Sequence, residues 1–485
     1  MQPLTRRKIL AAAAAAPLAV TSRAQRQGAA KPNIVYIMAD DMGYADLSCY
    51  GRREYKTTNI DSIATKGVRL LQAYANSAVC SATRTALITG RYQYRLRVGL
   101  EEPLGGGAMI GLPPEHPTLP SILKKAGYGT TLLGKWHLGN LPNFGPLKSG
   151  YDHFWGFRSG GLDYFSHTFG MDQLWDDDAK IEQVGYLTDL LGDRAAKVVN
   201  DYAKARQPFL VSLHFNAPHW PWEGPGDEAE SKRLNGRLMD HDGGSQKIYA
   251  SMVLEMDKQV GRVLKALEDG GIANNTIVIF TSDNGGERFS DTWPFSGKKT
   301  ELLEGGLRIP VLVKWPARIR AGGTTDQVGI TMDWVATLLA AAGTQPDPAY
   351  PLDGMDLLPA LAQNAAPVPR KLFWRYHYNS QRAMRDGDMK YLRIAANEFL
   401  FNVVDDPLER ANLKGRQPDV FQRMVKDYEA WEATMLPDMN GVNSGPLGYA
   451  DEVADHFGVT RPPGRGARGA APAGTGRGPQ TGAVK

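Results

Sequence analysis

The 485 residues exceed what one simple hydrophobic core organises, so one large domain with a smaller companion is the expected arrangement. Hydrophobic residues at 42% and charged residues at 22% fit a globular enzyme and exclude a fibrous or wholly disordered chain. The net charge of +4, part of it carried by Arg6, Arg7, Lys8 and the arginines beyond residue 460, implies no basic face for nucleic acid.

The chain opens with Thr5-Arg6-Arg7-Lys8-Ile9-Leu10 and the alanine run Ala11 to Ala16, a basic start followed by a short apolar stretch. This reads as a secretion signal over residues 1–24, cleaved near Ala24, and not as a membrane span. The adjacent arginines resemble a twin-arginine signal, which sends a bacterial protein out after folding; a chance pair in an ordinary secretion signal is the alternative. The expected location is periplasmic or extracellular. No later apolar stretch approaches the roughly 18 residues that span a bilayer. With Cys49 and Cys80 as its two cysteines, the chain is not a disulfide scaffold. A single bridge between them is one reading, and a small buried Cys49 beside a functional Cys80 is the other.

From Lys31 onward, apolar runs alternate with amphipathic stretches. Strands are predicted at 33–39, 130–135, 209–215, 276–280 and 309–313, and helices at 118–126, 185–205, 249–268 and 332–342. Such alternation predicts an α/β domain over residues 32–343, with a mostly parallel mixed sheet and helices on both faces. Gly343 and the proline-rich stretch after it mark a boundary. Beyond it, strands at 373–378, 381–385, 390–394 and 399–403, with a turn at Asp386-Gly387, precede a helix at 419–435. Residues 350–460 thus form a small antiparallel sheet with a packed helix. After about Arg461 the Pro-, Gly- and Arg-rich tail, 461–485, is expected to be disordered.

Five segments concentrate chemistry. Asp40-Asp41 ends the first strand, and Ser282-Asp283-Asn284-Gly285-Gly286 ends another in the same style. Oxygen ligands of this kind suit a hard divalent cation, Ca²⁺ or Mg²⁺, better than zinc. Gly134-Lys135-Trp136-His137 sets Lys135 and His137 two apart, on one side of an extended segment. In Ala217-Pro218-His219-Trp220-Pro221 the flanking prolines restrict the backbone that carries His219. Lys298 and Lys299 lie in the loop before Glu304-Gly305-Gly306; alone, such a pair reads as a solvated face.

A sixth segment, Val79-Cys80-Ser81-Ala82-Thr83-Arg84-Thr85-Ala86-Leu87-Ile88-Thr89-Gly90-Arg91, predicts a helix that starts at Cys80 and ends at Gly90. Cys80 and Arg84 then share one face, with Cys80 at the end where first-turn amides favour negative charge. The pattern Cys-x-Ala-x-Arg followed by Leu-x-Thr-Gly-Arg resembles the signature of the sulfatase family, and all six segments match that family in order and approximate spacing. The Phe401 to Leu413 segment resembles a family segment as well.

The resemblance implies an alkaline-phosphatase-like fold and hydrolysis of sulfate monoesters. It implies a cation, typically Ca²⁺, held by Asp40, Asp41, Asp283 and Asn284 together with Cys80 after its oxidation to formylglycine. Arg84 is then expected to hold the formylglycine hydrate and Lys135 to contact the sulfate. His137 matches the base that breaks down the sulfated intermediate, and His219 with Lys299, selected over Lys298 by the family spacing, serves the leaving oxygen. Both histidines have intrinsic pKa values near neutrality. The implied partners are a sulfated small molecule or glycan and an enzyme that matures Cys80. Ala82 stands where the commonest signature has proline, and Thr83 where it has serine; the alanine resembles sites handled by anaerobic sulfatase-maturating enzymes, and an aerobic formylglycine-generating enzyme of relaxed specificity is the alternative. A phosphonate or phosphodiester hydrolase of the same superfamily and an inactive sulfated-glycan binding protein are the competing functions. Aromatic and charged residues from Tyr151 to Trp175, among them His153, Trp155, Asp163, Tyr164 and His167, are expected to line the approach, which favours a carbohydrate. His116, His214, His241, His377 and His456 receive no role.

Overall fold

The strand Asn33–Ala39 is apolar on both sides because it runs through the centre of the molecule with a core against each face. Ile34, Tyr36 and Met38 pack into one cluster, while Val35, Ile37 and Ala39 pack into another, as the period of two requires. In the computed structural model, which describes residues 30–107, 109–237, 243–362 and 365–445, the unit beginning at Lys31 is organised around this strand. The predicted signal at 1–24 and tail at 461–485, with His241 and His456, lie outside the described residues.

Ten strands form the large sheet, in the spatial order 323–325, 68–70, 311–314, 276–282, 33–39, 209–214, 129–135, 153–157, 175–176 and 179–180. The five from Thr276–Ser282 to His153–Phe157 are mutually parallel. Strand Val311–Lys314 pairs antiparallel with both of its neighbours, so the sheet is mixed. Leu187–Ala205 and Gln246–Asp269 cover one face; in the latter Tyr249, Met252, Val253, Met256, Val260 and Val263 recur at helical spacing. Leu119–Lys125 and Asp333–Ala342 cover the other. Thr118 accepts from the Ser121 amide as the cap of the first of these, and Gly343 (φ 67°) ends the second in the left-handed conformation.

Strands Lys371–Tyr376, Gln381–Asp386, Met389–Ile394 and Asn397–Asn402 make a separate antiparallel meander. One face buries Trp374, Tyr376, Ala383 and Leu392 with Tyr74, Ala82 and Ala86 from the N-terminal half. The other buries Met384, Tyr391 and Leu400 under Phe421, Met424 and Tyr428 of the helix Pro418–Glu432. Among the described residues no helix is long and apolar enough to cross a membrane.

Candidate active site

The C-terminal ends of neighbouring parallel strands bring the acids together, the position at which open α/β sheets bind ligands. Asp40 follows the central strand, its amide bonded to the Ala217 carbonyl, while the Asp283 amide is bonded to the Ala39 carbonyl. The chain then turns sharply: Asp41 has φ 65°, and its amide donates to Asp283 Oδ1. Asn284 Nδ2 donates to Asp41 Oδ1 at 2.8 Å. All four side chains are buried.

Opposite them, the helix Cys80–Thr89 begins with Cys80, which is 2% exposed, and ends at Gly90 with φ 69°, as the sequence predicts. Arg84, one turn on, donates through Nε and Nη2 to Asp283 Oδ2 at 3.1 and 2.8 Å. Lys135 Nζ donates to Asp40 Oδ2 at 2.5 Å, and Lys299 Nζ to Asp41 Oδ2 at 2.5 Å. Ligand atoms of Asp40, Cys80 and Asp283 lie within 4.8 Å of one another, as do those of Asp40, Asp41 and His219. Both cysteines are free thiols, which removes the bridge between Cys49 and Cys80.

Three buried acids therefore face three buried cations. Burial and the neighbouring Asp283 push the Asp40 carboxyl well above the usual carboxylate range, against the pull of Lys135. Burial acts the same way on Asp41, but the Lys299 ammonium beside it outweighs burial and holds that carboxyl below the usual range. Asp40 Oδ1 and Asn284 Oδ1 are nonetheless buried without a hydrogen-bond partner. Two orphaned hard oxygens among carboxylates fit a divalent cation, since buried polar atoms ordinarily find a partner.

Burial also raises the thiol pKa of Cys80, in spite of the helix start and the nearby Lys135 and Lys299. The expected preference for negative charge at this position is overridden, because a sealed thiolate loses more hydration than the first-turn amides return. The two histidines differ from expectation in the same sense. Burial, with Lys135 beside His137 and Lys299 beside His219, pushes both well below the usual imidazole range, so both are neutral at neutral pH.

Hydrogen bonds then fix their tautomers. His219 Nδ1 donates to the Trp220 carbonyl at 2.5 Å, leaving Nε2 as the acceptor, 3.5 Å from Asp41 Oδ2. His137 Nε2 donates to the Leu104 carbonyl at 3.0 Å, leaving Nδ1 buried without a partner. His137 does not continue the extended run of Lys135. Its φ is 59°, and its amide pairs with the Arg158 carbonyl, so the two side chains reach the site from different backbone conformations.

A cavity of about 340 Å³ opens onto this cluster; Cys80, His137, His219 and Lys299 meet it, and Trp220 and Phe169 form part of its wall. His153, Trp155, Asp163, Tyr164 and His167 are not in its lining; Trp155, Asp163, Tyr164 and His167 are packed inside, and His153 is exposed elsewhere. The run Arg158 to Gly161 stands at the wall instead. Two neighbours of the site carry no motif signal. His214 Nδ1 lies 3.4 Å from Arg84 Nη1 and 3.3 Å from the Lys135 carbonyl, and Glu287 Oε2 lies 3.6 Å from Lys299 Nζ. The clue to Glu287 is its position three residues beyond Asn284; His214, at a strand end, offers none.

A family model described as Sulfatase matches residues 32–344, and one described as N-sulphoglucosamine sulphohydrolase, C-terminal, matches residues 295–429. N-acetylgalactosamine-6-sulfatase of Rattus norvegicus is 32% identical over 384 residues, covering 74% of this chain and 71% of the relative. Arylsulfatase J of Mus musculus is 28% identical over 472 residues, covering 84% and 77%. The crystal structure of Ps i-CgsB superposes with a TM-score of 0.75 at 29% identity, covering 83% of this chain and 92% of that one, and its complex with k-i-k-neocarrahexaose gives the same figures. The chain belongs to the sulfatase family, shares its alkaline-phosphatase-like fold, and is a sulfuric ester hydrolase.

Proposed function

We propose that this protein releases sulfate from a sulfated carbohydrate through a formylglycine made from Cys80. The observation that carries the reading is the meeting of Cys80 with Asp40 and Asp283 within 4.8 Å, beside Lys135 and Lys299, at the floor of a cavity. Similarity to N-acetylgalactosamine-6-sulfatase and to a structure complexed with k-i-k-neocarrahexaose supports a sugar substrate. Export by the twin-arginine route belongs to the same proposal, as do a catalytic unit at 32–343 and a C-terminal unit at 350–460.

A sulfate monoester resists attack because its oxygens repel a nucleophile, so its charge must be spread at the transition state. Asp40, Asp41, Asp283 and Asn284 would hold a divalent cation, Ca²⁺ before Mg²⁺, which supplies part of that neutralisation. An aldehyde hydrate at position 80 supplies one hydroxyl to attack sulfur and a second to expel the bound group, which neither a thiol nor serine can do.

The chain's own side chains do the remainder. Arg84, fixed on Asp283, orients the residue at position 80 from one turn along the helix. Lys135 and Lys299 present ammonium groups to the sulfate oxygens. Nδ1 of neutral His137 is free to take a proton, and His219 with Lys299 faces the leaving oxygen.

Mass spectrometry of the peptide containing Cys80, from protein made in its native host, tests the reading. A loss of about 18 Da relative to the cysteine peptide, the hallmark of thiol-to-aldehyde conversion, is expected together with faster hydrolysis of aryl sulfate than of aryl phosphodiester. An unmodified thiol in fully active protein refutes the formylglycine route, and preference for the phosphodiester refutes the sulfatase chemistry.

A further inference from the structure

Of the wall residues, Arg158 is set apart by its hydrogen bonding. Its side chain is 1% exposed, stacked 4.0 Å from the centroid of the Trp175 ring and 5.5 Å from that of Phe154. Nη2 donates to Asp178 Oδ1 at 2.7 Å and to the Asp177 carbonyl at 3.1 Å. Nε and Nη1 are buried and have no partner. Asp178 is half exposed at 49%, so water weakens its hold on the guanidinium. Burial lowers the Arg158 pKa although Asp178 and Asp172 pull the other way. A guanidinium has five donors in a fixed plane, and leaving two of them dry and unpaired is costly unless a ligand meets them.

The surroundings indicate which ligand. Arg158 and Lys299 are the cations in the wall of the catalytic cavity, and no carboxylate contributes to that wall among the described residues. The position is also rigid relative to the chemistry. The Arg158 carbonyl accepts from the His137 amide at 3.2 Å, and the Arg158 amide is held by Asp172 Oδ2 at 2.9 Å. The backbone of Arg158 is thus fixed beside the catalytic histidine, its guanidinium is set against Trp175, and a planar donor fork matches the paired oxygens of a sulfate or a carboxylate.

We propose that Arg158 is a specificity-determining residue that binds a second anionic group of the substrate, a sulfate or a uronic carboxylate, while the scissile sulfate sits at Cys80. The natural substrate is then a saccharide with at least two anionic groups. This rests on the sulfate ester reading of the cavity, and the test separates the two.

Full-length protein carrying Cys80→Ala, which binds without turnover, is titrated calorimetrically with three probes: N-acetylgalactosamine 6-sulfate, its 4,6-disulfate, and a glucuronate-linked N-acetylgalactosamine 6-sulfate. At least one dianionic probe is expected to bind about tenfold more tightly than the monosulfate, and which one does so identifies the second group. Adding Arg158→Gln is expected to bring that ratio within about twofold, while Arg158→Lys, which keeps the charge and loses the fork, leaves an intermediate ratio. A ratio near one in the Cys80→Ala protein overturns the proposal, as does a ratio that survives Arg158→Gln in a variant with native circular dichroism. A ratio near one in the Cys80→Ala arm overturns the proposal even where Arg158→Gln fails to fold, and Arg158→Lys then carries the assignment. Sulfate release by the unsubstituted enzyme is measured on the same probes: a preserved ratio without release sinks the hydrolase reading alone, and release without a ratio sinks the role of Arg158 alone.

Discussion

Lys298 and Lys299 are adjacent in sequence, yet the Lys299 ammonium lies 2.5 Å from Asp41 Oδ2 and 3.6 Å from Glu287 Oε2, sealed from solvent. Burial opposes its charge, but Asp41 and Glu287 more than restore it, so Lys299 stays protonated. Lys299→Ala is expected to lower kcat/KM for an aryl sulfate by about 10²-fold or more, as loss of a preorganised donor does, and Lys298→Ala by no more than about threefold. Equal losses in steady-state assays would falsify the separate roles. The strand-end acids were legible in the sequence because two such strand ends recur in one domain, whereas Lys299 was singled out by the family resemblance, a lysine pair alone reading as a solvated face. Glu287 was passed over although it follows Asn284 by three residues, and His214 was not legible, because its role comes from neighbours far along the chain that no local pattern records. The states of His137 and His219 were misread for the same reason: their motifs name the residue type, while burial beside Lys135 and Lys299 sets the pKa.

Between residue and fold, the segment Arg158 to Tyr164 runs alongside the segment that carries His219. A Cβ added at Gly160 meets the His137 ring at 2.8 Å, and one at Gly161 meets the His219 ring at 3.3 Å. Gly160→Ala is therefore expected to displace His137 and reduce kcat by about tenfold or more, with Gly161→Ala milder. Single-turnover kinetics check this, and an unchanged kcat in Gly160→Ala would show that the ring has room to move.

The two segments are tied by Glu223, whose Oε2 accepts from the Tyr164 amide at 3.0 Å, and by the Tyr164 hydroxyl, which donates to the His219 carbonyl at 2.9 Å. Burial, then the charge of Asp163, raises the Glu223 carboxyl from 4.5 to about 9. Between those values the folded state holds a proton that the unfolded state has released, so this group's stabilisation is complete below pH 4.5 and is lost as pH rises towards 9. Urea titrations from pH 5 to 9 should show a shallower decline of stability in Glu223→Gln than in the parent. Asp163 and Tyr164 were read from sequence as approach residues; an aromatic-acid pattern does not distinguish the wall of a site from the packing behind it.

At the scale of the whole molecule, the antiparallel meander meets the large sheet through a buried ion network. Lys390 Nζ lies 3.0 Å from Glu304 Oε1 and 2.8 Å from Glu409 Oε1, and all three side chains are fully buried. Arg308 Nε and the Tyr74 hydroxyl close the network on Glu304 Oε2 at 2.7 and 2.6 Å. Lys390→Met strands the Glu409 carboxylate in the interior, Glu304 keeping Arg308, and is expected to destabilise the fold by about 3–5 kcal/mol, read as a lower urea midpoint. An unchanged midpoint would mean that the acid binds a proton and tolerates the loss. The meander and the strands Asn33–Ala39, Gly129–Lys135, Phe209–His214, Thr276–Ser282 and Val311–Lys314 were legible because they are long enough to show a period or an apolar run, whereas Val68–Leu70, His153–Phe157 and Gly323–Thr325 were not read as strands. The pairs Trp175–Asp176 and Ala179–Lys180 were not, since two residues carry no period, and the antiparallel direction of Val311–Lys314 leaves no trace in composition.

The loop that carries Lys299 is held from the meander: Gln381 Oε1 accepts from the Leu302 amide at 2.9 Å, and Gln381 Nε2 donates to the Thr300 carbonyl at 3.0 Å. A chain ending at residue 344, where the Sulfatase match stops, would contain every side chain assigned to catalysis and still lack the clamp that aims one of them. Possession of the catalytic residues and possession of a working site are thus separate stages, and the second waits on strands made late in synthesis.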